Sequence, residues 1–134
     1  MKWISKSNKK KYSIKRLINS FGYALRGIYS AFKTEQNLVI HSVIMILVIL
    51  LGIYLKISNI EFCIIILTIG LVIGMEMINT SVEYTVDMAM PSIHPLAKMA
   101  KDIASGAVLV TAIAAIVVGL IIFLPKLIDL FGRL

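Results

Sequence analysis

Three long apolar runs, separated by short polar stretches, dominate the pattern of this chain. Residues 36–55 contain no Asp, Glu, Lys or Arg, and His41 is the only side chain there that titrates near neutral pH. Residues 62–75 are again uncharged, and residues 76–90 contain neither Pro nor Gly, so one helix can run on beyond the apolar part. Residues 103–125 form a third uncharged run of 23 residues. Crossing about 30 Å of hydrocarbon takes roughly 20 apolar residues as a helix. The pattern therefore predicts three spans, at about 36–55, 62–90 and 96–125, with the termini on opposite sides of a membrane. Ahead of them, Ile14, Leu17, Ile18, Phe21, Leu25 and Ile28 recur at helical spacing, with Lys15, Arg16 and Arg26 between them. That spacing predicts an amphipathic helix over residues 13–34, lying in the membrane interface. Residues 1–12 read as a basic tail, 35–125 as the three-span core, and 126–134 as a short tail.

Composition agrees with this division. Hydrophobic residues make up 59% of the 134, charged residues 16%, and mean hydropathy is +0.92. An ordinary soluble domain is about 45–50% apolar and about 25% charged. Fourteen Lys and Arg against seven Asp and Glu give a net charge of +7. Nine of the fourteen cations precede residue 36, the first connection holds only Lys56, and the second holds Lys98 and Lys101. By the positive-inside rule the N-terminus and the connection at 88–102 face the cytoplasm. The first apolar run begins too late and lacks the small-residue site of a cleavable signal peptide. Cys63 is alone, so no intramolecular disulfide exists. These features exclude a soluble enzyme, a disulfide scaffold and a nucleic-acid partner. The expected class is an all-α integral membrane protein.

The candidate chemistry lies at the polar end of the second span. Glu76, Asn79, Thr80, Glu83 and Asp87 fall at i, i+3, i+4, i+7 and i+11, within one narrow arc of a helix. A carboxylate at membrane depth is costly, so this stripe must face a partner or a watery cleft. At 1.5 Å per residue, Glu76 is about 21 Å along the helix from Phe62, toward the cytoplasmic boundary. Glu35 sits at the same expected depth, where the surface helix meets the first span. Glu35 and Glu83 together would suit Mg²⁺, which keeps several waters and is usually shared with substrate phosphates. A salt bridge of Glu35 with Lys33 or Lys98 is the competing reading.

A second cluster follows directly. Pro91 and Pro95 break the helix and leave Ser92, Ile93 and His94 as a turn. Lys98, Lys101, Asp102 and Ser105 then recur at i, i+3, i+4 and i+7. Cations beside free backbone N–H groups can hold a polyphosphate; the alternative for the lysines is simple anchoring of the third span. His41 reads as an interfacial polar group rather than a catalyst. Phosphate-binding loops of the G-x-x-x-x-G-K-[ST] and G-x-G-x-x-G kinds are absent from the sequence.

The run from Glu76 through Asn79 and Glu83 to Asp87, followed by His94-Pro-Leu-Ala-Lys-Met-Ala-Lys101-Asp102 and by Ser105-Gly-Ala-Val, resembles the prokaryotic diacylglycerol kinase family. Within that family it looks most like the undecaprenol kinases of Gram-positive bacteria. Arg16, Gly22-Tyr23, Gly27 and the stretch from Ala31 to Asn37 extend the resemblance. It implies a homotrimer in the bacterial cell membrane, with a surface helix, three spans per chain and active sites at the cytoplasmic interface. It further implies ATP as phosphoryl donor, Mg²⁺ held by Glu35 and Glu83, Glu76 as base on a lipid hydroxyl, and Asn79 orienting either Glu76 or the transferring phosphoryl group. Arg16, Tyr23, Ser92, Ile93, His94, Lys101 and Asp102 would contact the nucleotide, Glu35 and Glu83 would reach it through the metal, and Arg16, Glu76 and Ser105 would face the lipid. Undecaprenol is the acceptor it favours, with diacylglycerol as the alternative. Two other classes compete: a small ion-conducting oligomer, which would need polar residues near mid-bilayer where only Ser42, Thr68 and Thr111 are offered, and a membrane scaffold.

Overall fold

The computed structural model describes residues 13–90, 92 and 94–132. The expected basic tail at 1–12 thus lies outside the described residues, as does Ile93. The described residues form four α-helices: α1 (Ile14–Thr34), α2 (Gln36–Tyr54), α3 (Asn59–Ala89) and α4 (Pro95–Phe131). Helices α2, α3 and α4 are each long and apolar enough to cross a membrane. The chain is all-helical, with the three apolar helices of a small integral membrane protein.

Each connection has a local cause. Between α1 and α2 only Glu35 leaves helical geometry, at φ −106° and ψ 109°, while its N–H still donates to the Ala31 carbonyl at 2.9 Å. Ala31 and Leu38 are buried on either side of it, so the corner is fixed by packing. Helix α2 closes with paired bonds from Lys56 N–H to the Ile53 carbonyl (3.2 Å) and from Ile57 N–H to the Gly52 carbonyl (3.1 Å). This is a Schellman closure, and it places Lys56 at φ 51°, in the left-handed region that favours glycine. Helix α3 then opens on a capping box: the Ser58 hydroxyl accepts from Glu61 N–H, and the Glu61 carboxylate accepts from Ser58 N–H at 2.6 Å. The box explains why α3 begins at Asn59, three residues before the expected start at 62. Helix α4 opens with Pro95 in its first turn and His94 as cap, the imidazole Nδ1 accepting from Leu96 N–H at 3.2 Å.

The end of α4 departs from the sequence reading. The expected stop at residue 125 does not occur: Pro125 lies inside the helix, which continues to Phe131. Proline removes one backbone donor, but the ion pair just beyond it, Lys126 Nζ to Glu61 at 3.2 Å, ties the extra turn to the start of α3. Residues 126–131 are helix rather than tail.

Helices α3 and α4 pack most extensively against each other. The small buried cluster of Ile65, Ile122 and Phe123, with Val48, Leu51 and Ile69 against it, lies toward the α2–α3 turn. Large apolar side chains elsewhere, such as Leu67 and Ile121, are exposed along the helices. That surface suits hydrocarbon rather than water. The opposite end of the molecule gathers α1, the start of α2, the end of α3 and the start of α4.

Candidate active site

Glu76 projects from α3 and is 4% exposed, deeper than any other described charged residue. A lone ion at such a position is unfavourable unless it is paired and hydrogen-bonded. Its partner comes from α2: His41 Nε2 lies 3.1 Å from Glu76 Oε1. One turn further along, Thr80 is also buried, and its hydroxyl donates to the Glu76 main-chain carbonyl at 3.0 Å.

The rest of the stripe turns toward α4. Asn79 Nδ2 donates to Glu83 Oε1 at 2.9 Å, and the Ser105 hydroxyl donates to Asn79 Oδ1 at 3.4 Å. Asn79 therefore links Glu83 on its own helix to Ser105 on the next, with donor and acceptor sides both engaged. Two turns beyond Asn79, Asp87 Oδ1 meets Lys101 Nζ at 2.6 Å. Glu76 thus looks to α2, whereas Asn79 and Asp87 look to α4. A helix wedged between two others presents adjacent flanks of one stripe to different neighbours.

Two clefts flank this stripe. One, of about 280 Å³, is lined by Asp87, Ser92, His94, Lys98, Lys101 and Asp102. It joins the end of α3 to the start of α4, and it contains the second cluster expected from sequence apart from Ser105 and the undescribed Ile93. The other, of about 410 Å³, lies between α1 and α3, with Gly27, Ser30, Thr80, Ser81 and Tyr84 in its wall. Arg16 and Tyr23 line neither; both are exposed on α1, where the Arg26 guanidinium stacks over the Tyr23 ring at 4.9 Å. Glu35 is half-buried at the α1–α2 corner. Among the described residues the ion pairs are those of Glu76, Asp87 and Glu61, so the alternative bridge of Glu35 to Lys33 or Lys98 does not form.

No three His, Cys, Asp or Glu side chains among the described residues gather into a metal cage. A divalent ion of the Mg²⁺ kind does not need one, since it is usually held by one or two carboxylates and completes its shell with water and phosphate oxygens. Glu83, half-buried with its carboxylate oriented by Asn79, fits that role; Glu35 offers a second hard oxygen donor.

Sequence reasoning missed the contact of His41 with Glu76. The residues stand 35 positions apart on different helices; Glu76 reads as the start of the polar stripe and His41 as a separate interfacial polar group. The available signal was that a buried carboxylate requires a donor and α2 contains one imidazole. The walls of the α1–α3 cleft were missed too, because Ser30, Ser81 and Tyr84 are ordinary residues for helix surfaces.

Comparison with known proteins adds a family. The model of the family described as prokaryotic diacylglycerol kinase matches residues 22–123. The chain is 44% identical over 114 residues to the undecaprenol kinase of Bacillus subtilis, covering 85% of this chain and 93% of that protein. It is 43% identical over 115 residues to a diacylglycerol kinase of Synechocystis sp., covering 85% and 66% respectively. A diacylglycerol kinase of Pseudomonas aeruginosa is 37% identical over 97 residues, covering 70% and 76%.

Proposed function

The chain belongs to the prokaryotic diacylglycerol kinase family and is a membrane lipid kinase; on that premise we propose that it transfers the γ-phosphoryl group of ATP to the hydroxyl of undecaprenol. The observation that carries the reading is Glu76, a buried carboxylate at the polar end of an apolar helix, beside an oriented amide and a second carboxylate. A lipid alcohol keeps its tail in the bilayer and brings only its hydroxyl to that depth. No separate soluble domain is needed to present it.

In this reading Glu76 accepts the hydroxyl proton as the alcohol oxygen bonds to the γ-phosphorus and the bond to ADP breaks. General-base help of this kind contributes typically 10²- to 10⁴-fold. Phosphoryl transfer is otherwise governed by positioning and charge neutralisation. Glu83 and Glu35 would hold Mg²⁺, which when bound offsets the phosphate charge. Asn79, tied to Glu83 and Ser105, keeps the polar face of α3 in one arrangement, and Ser105 borders the lipid side. Lys101, with Ser92, His94 and Asp102, forms the cleft for the polyphosphate. Arg16 and Tyr23 line neither cleft within one chain, so their contacts with the nucleotide, and that of Arg16 with the lipid headgroup, would be made across a neighbouring subunit.

The site faces the cytoplasm, where ATP is found, and the basic N-terminal segment faces the same side. Helix α1 lies in that interface with Phe21, Leu25 and Ile28 toward lipid; all three are exposed within the single chain. Assembly as a homotrimer, which the sequence resemblance implies, belongs to the same proposal.

The test is transfer of labelled phosphate from ATP by purified protein in mixed micelles, with Mg²⁺, to undecaprenol and to diacylglycerol in parallel. Preferential labelling of undecaprenol is expected. Preference for diacylglycerol, the acceptor named for the Synechocystis and Pseudomonas relatives, would replace that substrate and leave the rest standing. No labelling of either would overturn the proposed reaction.

A further inference from the structure

Helix α2 is apolar except for a few side chains, and the hydroxyl nearest its histidine is not free to help Glu76. Ser42 donates to the Leu38 carbonyl at 2.7 Å, within its own helix. On α3 the Thr80 hydroxyl is likewise spent on a main-chain carbonyl. Among the described residues His41 is the only side chain that meets the Glu76 carboxylate, at 3.1 Å. It does so from an apolar setting. His41 lines a cavity of about 300 Å³ between α2, α3 and α4, whose other walls include Ile44, Met45, Val72, Ala112 and Ile116 and contain no second titratable group.

A carboxylate has two oxygens and rotates easily about its last bond. In water that freedom costs little, but a base must present one oxygen to one hydroxyl in one direction. A donor fixed on Oε1 removes the freedom and leaves Oε2 for the substrate. Low local polarity strengthens such a bond. A neutral imidazole suffices, because its Nε2–H donates without a charge.

We infer that His41 is a positioning residue for Glu76: its Nε2–H holds one oxygen of the buried carboxylate so that the other faces the lipid hydroxyl. The inference rests on the assignment of Glu76 as base, and the two fail separately. His41→Gln keeps an amide donor near the position of Nε2, His41→Asn is one methylene too short to reach, and His41→Leu has no donor. With saturating Mg-ATP and undecaprenol in mixed micelles, His41→Leu and His41→Asn should lower kcat roughly 10- to 100-fold, the cost of a misplaced reacting group. KM for both substrates should stay within about twofold of the parent, and His41→Gln should restore most of the rate. Gel filtration and a thermal melt show whether each variant is folded; if His41→Leu is not, the Gln–Asn pair alone makes the comparison. Parent-like kcat in His41→Asn, or a His41→Gln enzyme as slow as His41→Asn, would overturn the positioning role. A rise in KM without loss of kcat would also overturn it. Full activity in Glu76→Gln would instead remove the base itself, whereas an inactive Glu76→Gln beside a fully active His41→Asn removes only the role of His41.

Discussion

Two carboxylates on one helix, fifteen residues apart, have opposite surroundings. Glu61 opens α3, takes the Ser58 N–H in its own first turn and meets Lys126 at 3.2 Å. Glu76 is buried, its carboxylate receives nothing from its own turn, and it meets an imidazole from another helix. The first carboxylate is satisfied by its own first turn and by a full cation from α4, and it serves the architecture: it starts a helix and ties the end of α4 to it. The second is held by one long-range contact at a depth where an ion is expensive, which is the position expected of a group kept for chemistry. The hydrophobic core follows the same division, since Ile65, Ile122 and Phe123 cluster toward the α2–α3 turn while polar groups and clefts occupy the other end. The apolar cluster gathers at one end of the molecule and the two polar clefts at the other.

That contrast yields predictions of descending size. Glu76→Gln removes the proposed base and should reduce phosphoryl transfer roughly 10²- to 10⁴-fold without altering the gel-filtration profile. A turnover within tenfold of the parent would place Glu76 with Glu61 as a structural group. Glu83→Gln leaves Asn79 a partner but takes away a hard anionic ligand. Its rate should fall about 100-fold at low Mg²⁺, and the Mg²⁺ needed for half-maximal activity should rise, as read by titration with the metal. Lys101→Met breaks the pair with Asp87 and removes a cation from the cleft between α3 and α4. KM for ATP should rise about tenfold while KM for the lipid stays put, the loss of roughly one charge-assisted contact. At the packed end, Glu61→Gln should leave kcat and both KM values unchanged and lower only the melting temperature. Lys56→Gly should raise stability by about 1 kcal/mol, because the left-handed backbone at φ 51° is unfavourable for a side chain with a Cβ; chemical denaturation in detergent measures it. A change of rate in either of these last two would break the division between the ends.

Much of the fold was legible before any coordinates. A run of apolar residues longer than the hydrocarbon is thick has few stable fates other than a spanning helix, because backbone groups in lipid must bond within the segment. The polar arc from Glu76 to Asp87 was legible for the same reason that any helical stripe is: 3.6 residues per turn place those side chains together whatever surrounds them. Helix ends were harder. The capping box of Ser58 and Glu61 was written in the sequence and brings α3 in three residues early. Pro125, by contrast, looks like a stop, and the extra turn after it is held by Lys126 reaching a residue 65 positions away. Only packing could reveal that.

By itself the sequence determined that this chain is helical, which three stretches suit a membrane, and that three of its seven acids, Glu76, Glu83 and Asp87, collect on one face of α3. Those properties depend on local backbone geometry and on the cost of charge in hydrocarbon, both of which act over a few turns. The tertiary structure decided which neighbour each acid meets: His41 for Glu76, Ser105 through Asn79 for Glu83, and Lys101 for Asp87. It also decided that Arg16 and Tyr23 stand apart from both clefts within one chain. Partner choice depends on how helices rotate and cross against one another, and nothing in a single helical period sets that angle.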